Sequence, residues 1–214
     1  MNKGLPTWYE TVAKSIIANL EKRRMEGSYA ASAEEAKRKV VAMISEGSTV
    51  YRCGSMTVAD IGLWDEIRKI PGVKLIDPYV KGISREESLK LRCDGMAADF
   101  MVASTNAITL DGKLVNLDGM GNRVAALAFG PKKVILVVGM NKVVPDLESA
   151  ISRVKHLAAP PNAIRLNMET PCVKTGLCSD CRSPQRICNV WSIIEGQLVK
   201  GRIHVILVGQ HLGY

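Results

Sequence analysis

Apolar residues at 8, 9, 12, 13, 16, 17 and 20, with charges between them, repeat at the helical period and predict an amphipathic helix over residues 7–24 that Gly27 ends. A second helix is expected from Ser32 to Ser45, because Ser32 followed by Glu35 has the form of a capping box. The period then changes. Residues 49–53 read as a strand, and Val58, Ile61, Trp64 and Ile67 as the buried face of a helix directly after it. A strand at 73–77, a polar helix at 84–95 and a mostly extended run at 99–110 follow, closed by the hairpin turn Asp111–Gly112 and a returning strand at 113–117. Residues 123–129 form a short helix. The β-branched run 132–139 is a buried strand, 146–158 a helix ending before Pro160 and Pro161, and 202–209 a last buried strand. Strands alternating with helices predict an α/β fold with a largely parallel sheet. The chain reads as one domain over 1–214, with an N-terminal helical segment at 1–46 and a cysteine-rich loop at 171–189.

The 214 residues are enough for one good core, and 47% hydrophobic with 23% charged residues is ordinary globular composition. No apolar run reaches the roughly 18 residues that cross a bilayer, and the first ten residues hold no apolar signal core. A cytoplasmic protein with no membrane span is therefore expected. The net charge of +8 favours anionic partners, but the cations are scattered and only ten residues are Phe, Trp or Tyr, so a nucleic-acid platform is disfavoured.

Three loops have the composition of an anion site. Ser55 and Thr57 lie between a strand and a helix, where free backbone N–H groups and the helix dipole favour negative charge, although either hydroxyl can equally serve as a cap. Ser104 and Asn106 are polar where a buried strand would carry apolar side chains. Asn116, Asp118, Gly119, Gly121, Asn122 and Arg123 form the third loop, with Arg123 as a clamp for phosphate or carboxylate and Asp118 as the candidate general base. In parallel α/β sheets ligands gather where strand ends meet helix starts. The three histidines read as core or surface residues, and Cys53 and Cys93 as small hydrophobes.

The sharpest signal is Cys172, Cys178, Cys181 and Cys188, spaced C-x5-C-x2-C-x6-C within 17 residues. Four thiolates on one loop can surround a soft metal centre. Lys174, Arg182 and Arg186 against the single acid Asp180 suit an anionic [4Fe–4S] cluster. Structural zinc is the second reading, weakened by the presence of one C-x2-C knuckle where ribbons have two, and a metal-free loop is the third.

With these residues in view, the chain resembles the LUD-domain family of lactate-utilisation proteins. The resemblance is carried by residues 54–57, 104–107 to Asp111–Gly112, 114–124, 138–144, 160–163 and the cysteine string 175–189. It implies a fold like that of glucosamine-phosphate and ribose-phosphate isomerases and coenzyme A transferases. It also implies a place in a lactate-oxidising system beside iron–sulfur subunits, as an oxidoreductase or a redox subunit of one, acting on a small anionic substrate with a redox partner protein. Many relatives lack the terminal cysteine loop, so this chain has the look of a separate branch. An isomerase or acyl-transfer enzyme with structural zinc, and a non-catalytic assembly subunit, are the alternatives, and an oligomer is compatible with each.

Overall fold

The computed structural model describes residues 4–214. In chain order its helices and strands are α1 (Gly4–Lys22), β1 (Glu26–Ala30), α2 (Ala33–Met43), β2 (Thr49–Arg52), α3 (Met56–Asp60), α4 (Leu63–Arg68), β3 (Lys74–Ile76), α5 (Arg85–Asp94), β4 (Phe100–Ala103), β5 (Ala107–Thr109), β6 (Leu114–Asp118), α6 (Asn122–Ala128), β7 (Lys133–Gly139), β8 (Val143–Val144), α7 (Leu147–Arg153), α8 (Ala159–Arg165), α9 (Pro171–Thr175), β9 (Val190–Ile194) and β10 (Ile203–Val208).

Six strands form an all-parallel sheet in the order β1-β10-β7-β4-β2-β3. Both faces are covered, which is why β7 and β10 read as continuous apolar runs. Alternate residues divide between two cores: Val134, Leu136 and Val138 pack with Ile16 and Leu20 of α1, while Ile135 and Val137 pack with Val40 of α2 and Trp64 of α4. From β2 the chain adds β3 on one side and β4, β7 and β10 on the other, so the strand order reverses between β2 and β4. The carboxyl ends of those two strands therefore flank a topological switch point.

A second sheet, β8-β5-β6-β9, lies beside the first, with β5/β6 and β6/β9 antiparallel and β5/β8 parallel. Ala107, Val115 and Leu117 pack there against Ala150 and Val154, with half-buried Cys188 and Trp191 completing the cluster.

The alternating pattern is realised as a parallel α/β fold, with differences that have local causes. The extended run at 99–110 divides into β4 and β5 because Ser104, Thr105 and Asn106 carry the chain from one sheet to the other. The N-terminal segment is not wholly helical: Arg24 takes a positive φ of 61° and the polar pentapeptide Glu26–Ala30 becomes an edge strand on β10. Residues 1–3 of that segment lie outside the described residues. The expected helix at 58–67 is two helices, broken at Gly62 with φ 67°. Ser32 caps α2 as expected, accepting from the Glu35 N–H, but the Glu35 carboxylate reaches back to the Ala31 N–H at 2.9 Å. Cys53 is buried as expected, whereas Cys93 is exposed on the polar helix α5.

The helix at 146–158 does not stop before Pro160. It widens into a π turn at Val154–Ala158 and continues as α8. Pro160 and Pro161 have no N–H to give to the preceding turn, and their rings would clash in a regular helix; the wider turn relieves both demands. Among the described residues no helix is long and apolar enough to cross a membrane.

Gly139 ends β7 where the chain turns toward Lys142. A Cβ there would meet the Asn141 side chain, and would stand 2.8 Å from the carbonyl oxygen of Gln210 and 2.8 Å from the nitrogen of Leu212. Gly139→Ala is expected to lower unfolding free energy by about 1–3 kcal/mol in urea titration, because two backbone segments must separate to admit one methyl group.

Candidate functional site

At the switch point lies a cavity of about 110 Å³. Gly54–Met56 from the end of β2 and Ser104–Asn106 from the end of β4 form one wall. Arg123, Lys142, Asn162, Arg165, Cys188 and Tyr214 are among the residues that close it. The lining holds three cationic side chains and no acidic side chain. Such a surface favours a small anion.

Lys142 follows β7 and is 4% exposed. Its Nζ donates to Thr57 Oγ1 at 2.8 Å and Ser104 Oγ at 3.1 Å. Both acceptors are neutral. Burial, then the positive charges of Arg153 and Arg123, push its ammonium down to about 7, with Asp60 opposing weakly.

The cavity wall is braced by two arginines that meet at Asn106. Arg123 donates to Asn106 Oδ1 at 2.9 Å, to Asn116 Oδ1 at 2.6 Å and to the Leu117 carbonyl at 2.9 Å. Arg153 donates to the main-chain oxygens of Asn106, at 2.6 Å, and Asn141, at 3.1 Å. Asn116 is fully buried, and its Nδ2 is the one buried side-chain polar atom without a hydrogen-bond partner among the described residues.

Of the residues expected at an anion site, Ser55, Ser104, Asn106 and Arg123 line this cavity. Thr57 lies behind them on Lys142, and Asn116 behind them on Arg123. Ser55 also caps α3 by accepting from the Val58 N–H. The other members of the third loop do not line the cavity. Asp118 does not line the cavity: its carboxylate accepts from the backbone N–H groups of Gly119, Arg123 and Val124, which fixes the entry to α6. Gly121, at φ 94°, precedes that helix, and Asn122 donates to the Tyr51 hydroxyl at 3.2 Å. Gly119 serves close approach instead, since a Cβ there would stand 3.2 Å from Ile187 Cα in the cysteine loop.

That contact joins two segments the sequence presents separately. The Asn189 N–H donates to the Asp118 carbonyl, and Asn189 Nδ2 to the carbonyls of Gly119 and Arg186. Arg186 braces the cysteine loop from inside, donating to the main-chain oxygens of Cys181 and Cys188 and to Asp180. Lys155, on the π turn, also pairs with Asp180.

All four cysteines line one small apolar cavity of about 20 Å³, which Lys155, Pro160 and Arg186 help to close. Burial raises the Cys188 thiol above its ordinary value, while Arg186 and Lys155 pull it down. The donor set is that of a soft-metal or cluster site. No three His, Cys, Asp or Glu side chains among the described residues are gathered so as to hold one metal ion. Ile187, Cys188 and Ala159 line both this cavity and the cationic one, so a single layer of side chains separates the two.

Lys142, Arg153, Asn162, Arg165 and Tyr214 were not legible as site residues. The one available signal was a lysine three residues beyond the longest apolar strand, near the end that a parallel sheet turns toward its ligand edge.

The fold is that of an α/β domain with a cavity at the switch point of a doubly covered parallel sheet, the place where such domains hold their ligands. Residues 13–208 match the LUD domain, and the chain belongs to that family. Its fold is similar to that of a DUF162 family protein from Deinococcus radiodurans, with a TM-score of 0.52 at 14% identity, covering 94% of this chain and 98% of that one. A weaker overlay, on eIF2B delta from Chaetomium thermophilum, has a TM-score of 0.36 at 19% identity and covers 70% of this chain and 57% of that one. No curated protein sequence matches the chain.

The depressed Lys142 ammonium makes stability depend on pH. Between about 7 and the ordinary lysine value of 10.5 the unfolded chain holds a proton that the folded chain releases. The Lys142 contribution is therefore most favourable above that window and is lost as pH falls through it. Urea unfolding across the window should show Lys142→Met removing a rise on the order of a few kcal/mol; parallel pH profiles for the two proteins would contradict it.

Proposed function

We propose that the protein is a lactate-utilisation-type redox protein, an oxidoreductase or a subunit of one. It binds a small carboxylate in the cationic cavity and carries an iron–sulfur cluster on Cys172, Cys178, Cys181 and Cys188. One observation carries this reading: the cavity with Arg123, Lys142 and Arg165 and no acidic side chain shares Ile187 and Cys188 with the cavity that all four cysteines line.

Arg123 and Arg165 hold the carboxylate. Arg123 is immobilised by Asn106, Asn116 and Leu117, so it is positioned before any ligand arrives, while Arg165 stands exposed on α8, bonded to Asn162. Lys142 takes the proton-handling role that sequence reasoning assigns to Asp118, since its amine faces the cavity lining and titrates near neutrality. Ser104 and Thr57 keep that amine in place. Half-buried Ile187 and buried Leu117 limit water at the wall nearest the cysteines.

Four cysteines around one cavity, with the cations Lys155 and Arg186 beside them, suit an anionic metal–sulfur centre. A cluster bound there would supply one-electron transfer. About 20 Å³ is the room of a single water, so loading moves the loop outward, and its exposed residues from Gly176 onward leave space for that.

Anaerobically purified protein should contain iron and acid-labile sulfide and show a broad visible charge-transfer band. Cys178→Ser and Cys181→Ser should lose them. Stoichiometric zinc without iron after anaerobic reconstitution would exclude the cluster. In calorimetry, lactate or pyruvate should bind, and Arg165→Ala should weaken binding about tenfold, the ~1.4 kcal/mol of one charge-assisted contact; unchanged affinity would remove Arg165 from the site.

A further inference from the structure

We propose that Lys142 is a carbonyl-trapping amine, forming an imine with a 2-oxo acid whose carboxylate is held by Arg123 and Arg165. This deepens the reading of the cavity as a carboxylate site and rests on it.

The position of the amine carries the argument. Lys142 is almost wholly buried yet lines the cavity, and no carboxylate lies within ion-pair distance of it among the described residues. A structural lysine at such depth is normally matched by an acid, because an unpaired buried charge is costly. Here its two partners are hydroxyls, Thr57 and Ser104, which orient Nζ without neutralising it. Arg153 and Arg123 from α7 and α6 add positive charge, and Asp60 of α3 offsets them only in part, so the neutral amine is favoured. A neutral amine in a desolvated pocket beside other cations is the form that attacks carbonyl carbon.

The same cations select the substrate class. Guanidinium groups draw a carboxylate into a cavity of about 110 Å³, and in a 2-oxo acid the electrophilic carbon is bonded directly to that carboxylate. A 2-hydroxy acid fits the same clamp but has no carbonyl to trap. In the step itself the Nζ–C2 bond forms and the C2–O bond breaks. The oxygen leaves as water with the two protons of the amine, and nothing is oxidised or reduced. Ser104, which lines the cavity and accepts from Nζ, is the hydroxyl placed to relay protons to the departing oxygen.

The test is to incubate the full chain with pyruvate and cyanoborohydride and map the adduct by peptide mass spectrometry. The reduced adduct is expected on the peptide containing Lys142. It should be absent with lactate and lost in Lys142→Met and in Lys142→Arg, which keeps the charge. Mapping on the unsubstituted protein decides the matter even if a variant folds poorly. Adduct spread evenly over exposed lysines such as Lys90, or no adduct while calorimetry shows pyruvate bound, overturns the amine's role and leaves the carboxylate site standing. Absence of both adduct and binding overturns the carboxylate reading itself.

Discussion

The arrangement of the site depends on how the chain leaves the parallel sheet at Asn106. Strand β4 ends at Ala103 and β5 begins in another sheet at Ala107, so the three residues between them cannot use ladder hydrogen bonds. Their polar groups need partners in a buried place. Arg123 reaches the Asn106 side chain from α6, and Arg153 reaches its main-chain oxygen from α7. Asn106 Oδ1 also accepts the Leu117 N–H, tying β6 to the same point. One asparagine thus sets two helices and a second sheet around the switch point, and the cavity is the space they leave.

That joint explains why the cavity is cationic. Arginines are suited to capping several carbonyls at once, and burying them brings positive charge with no acid to match it. The imbalance acts on Lys142, the one ionisable lining group that can release its charge. Arg153 is therefore both brace and tuner: the hydrogen bonds that hold Asn106 and Asn141 put its guanidinium where it disfavours the Lys142 ammonium.

Sequence patterning carried the fold further than the site. The strands with continuous apolar runs, β7 and β10, and the hairpin at Asp111–Gly112 were legible because burial on both faces and turn geometry each leave a local signature. Strands β1 and β9 were not. Both are sheet edges with few buried side chains, and their pairing is decided by β10 and β6, which lie far away in sequence. At the site, Ser55, Ser104, Asn106 and Arg123 were legible as polar residues at strand ends. Asp118 looked equally suitable, since a carboxylate that caps a helix and one that abstracts a proton have the same local sequence. In the fold its carboxylate accepts from three backbone N–H groups and stands outside the cavity lining.

The cysteine loop is the element whose meaning changes most once it is placed. In sequence it is an addition at the far end of the chain. In the fold it is stitched to the Asp118–Gly121 turn by Asn189 and to the π turn by Lys155, and the π turn exists because Pro160 and Pro161 cannot continue a regular helix. The segment carrying Arg153 into the cavity wall therefore also carries Lys155 to the cysteine loop, two residues apart on one widened helix. The wall of the cationic cavity and the brace of the cysteine loop thus share one helical segment, besides the Ala159, Ile187 and Cys188 side chains that line both cavities.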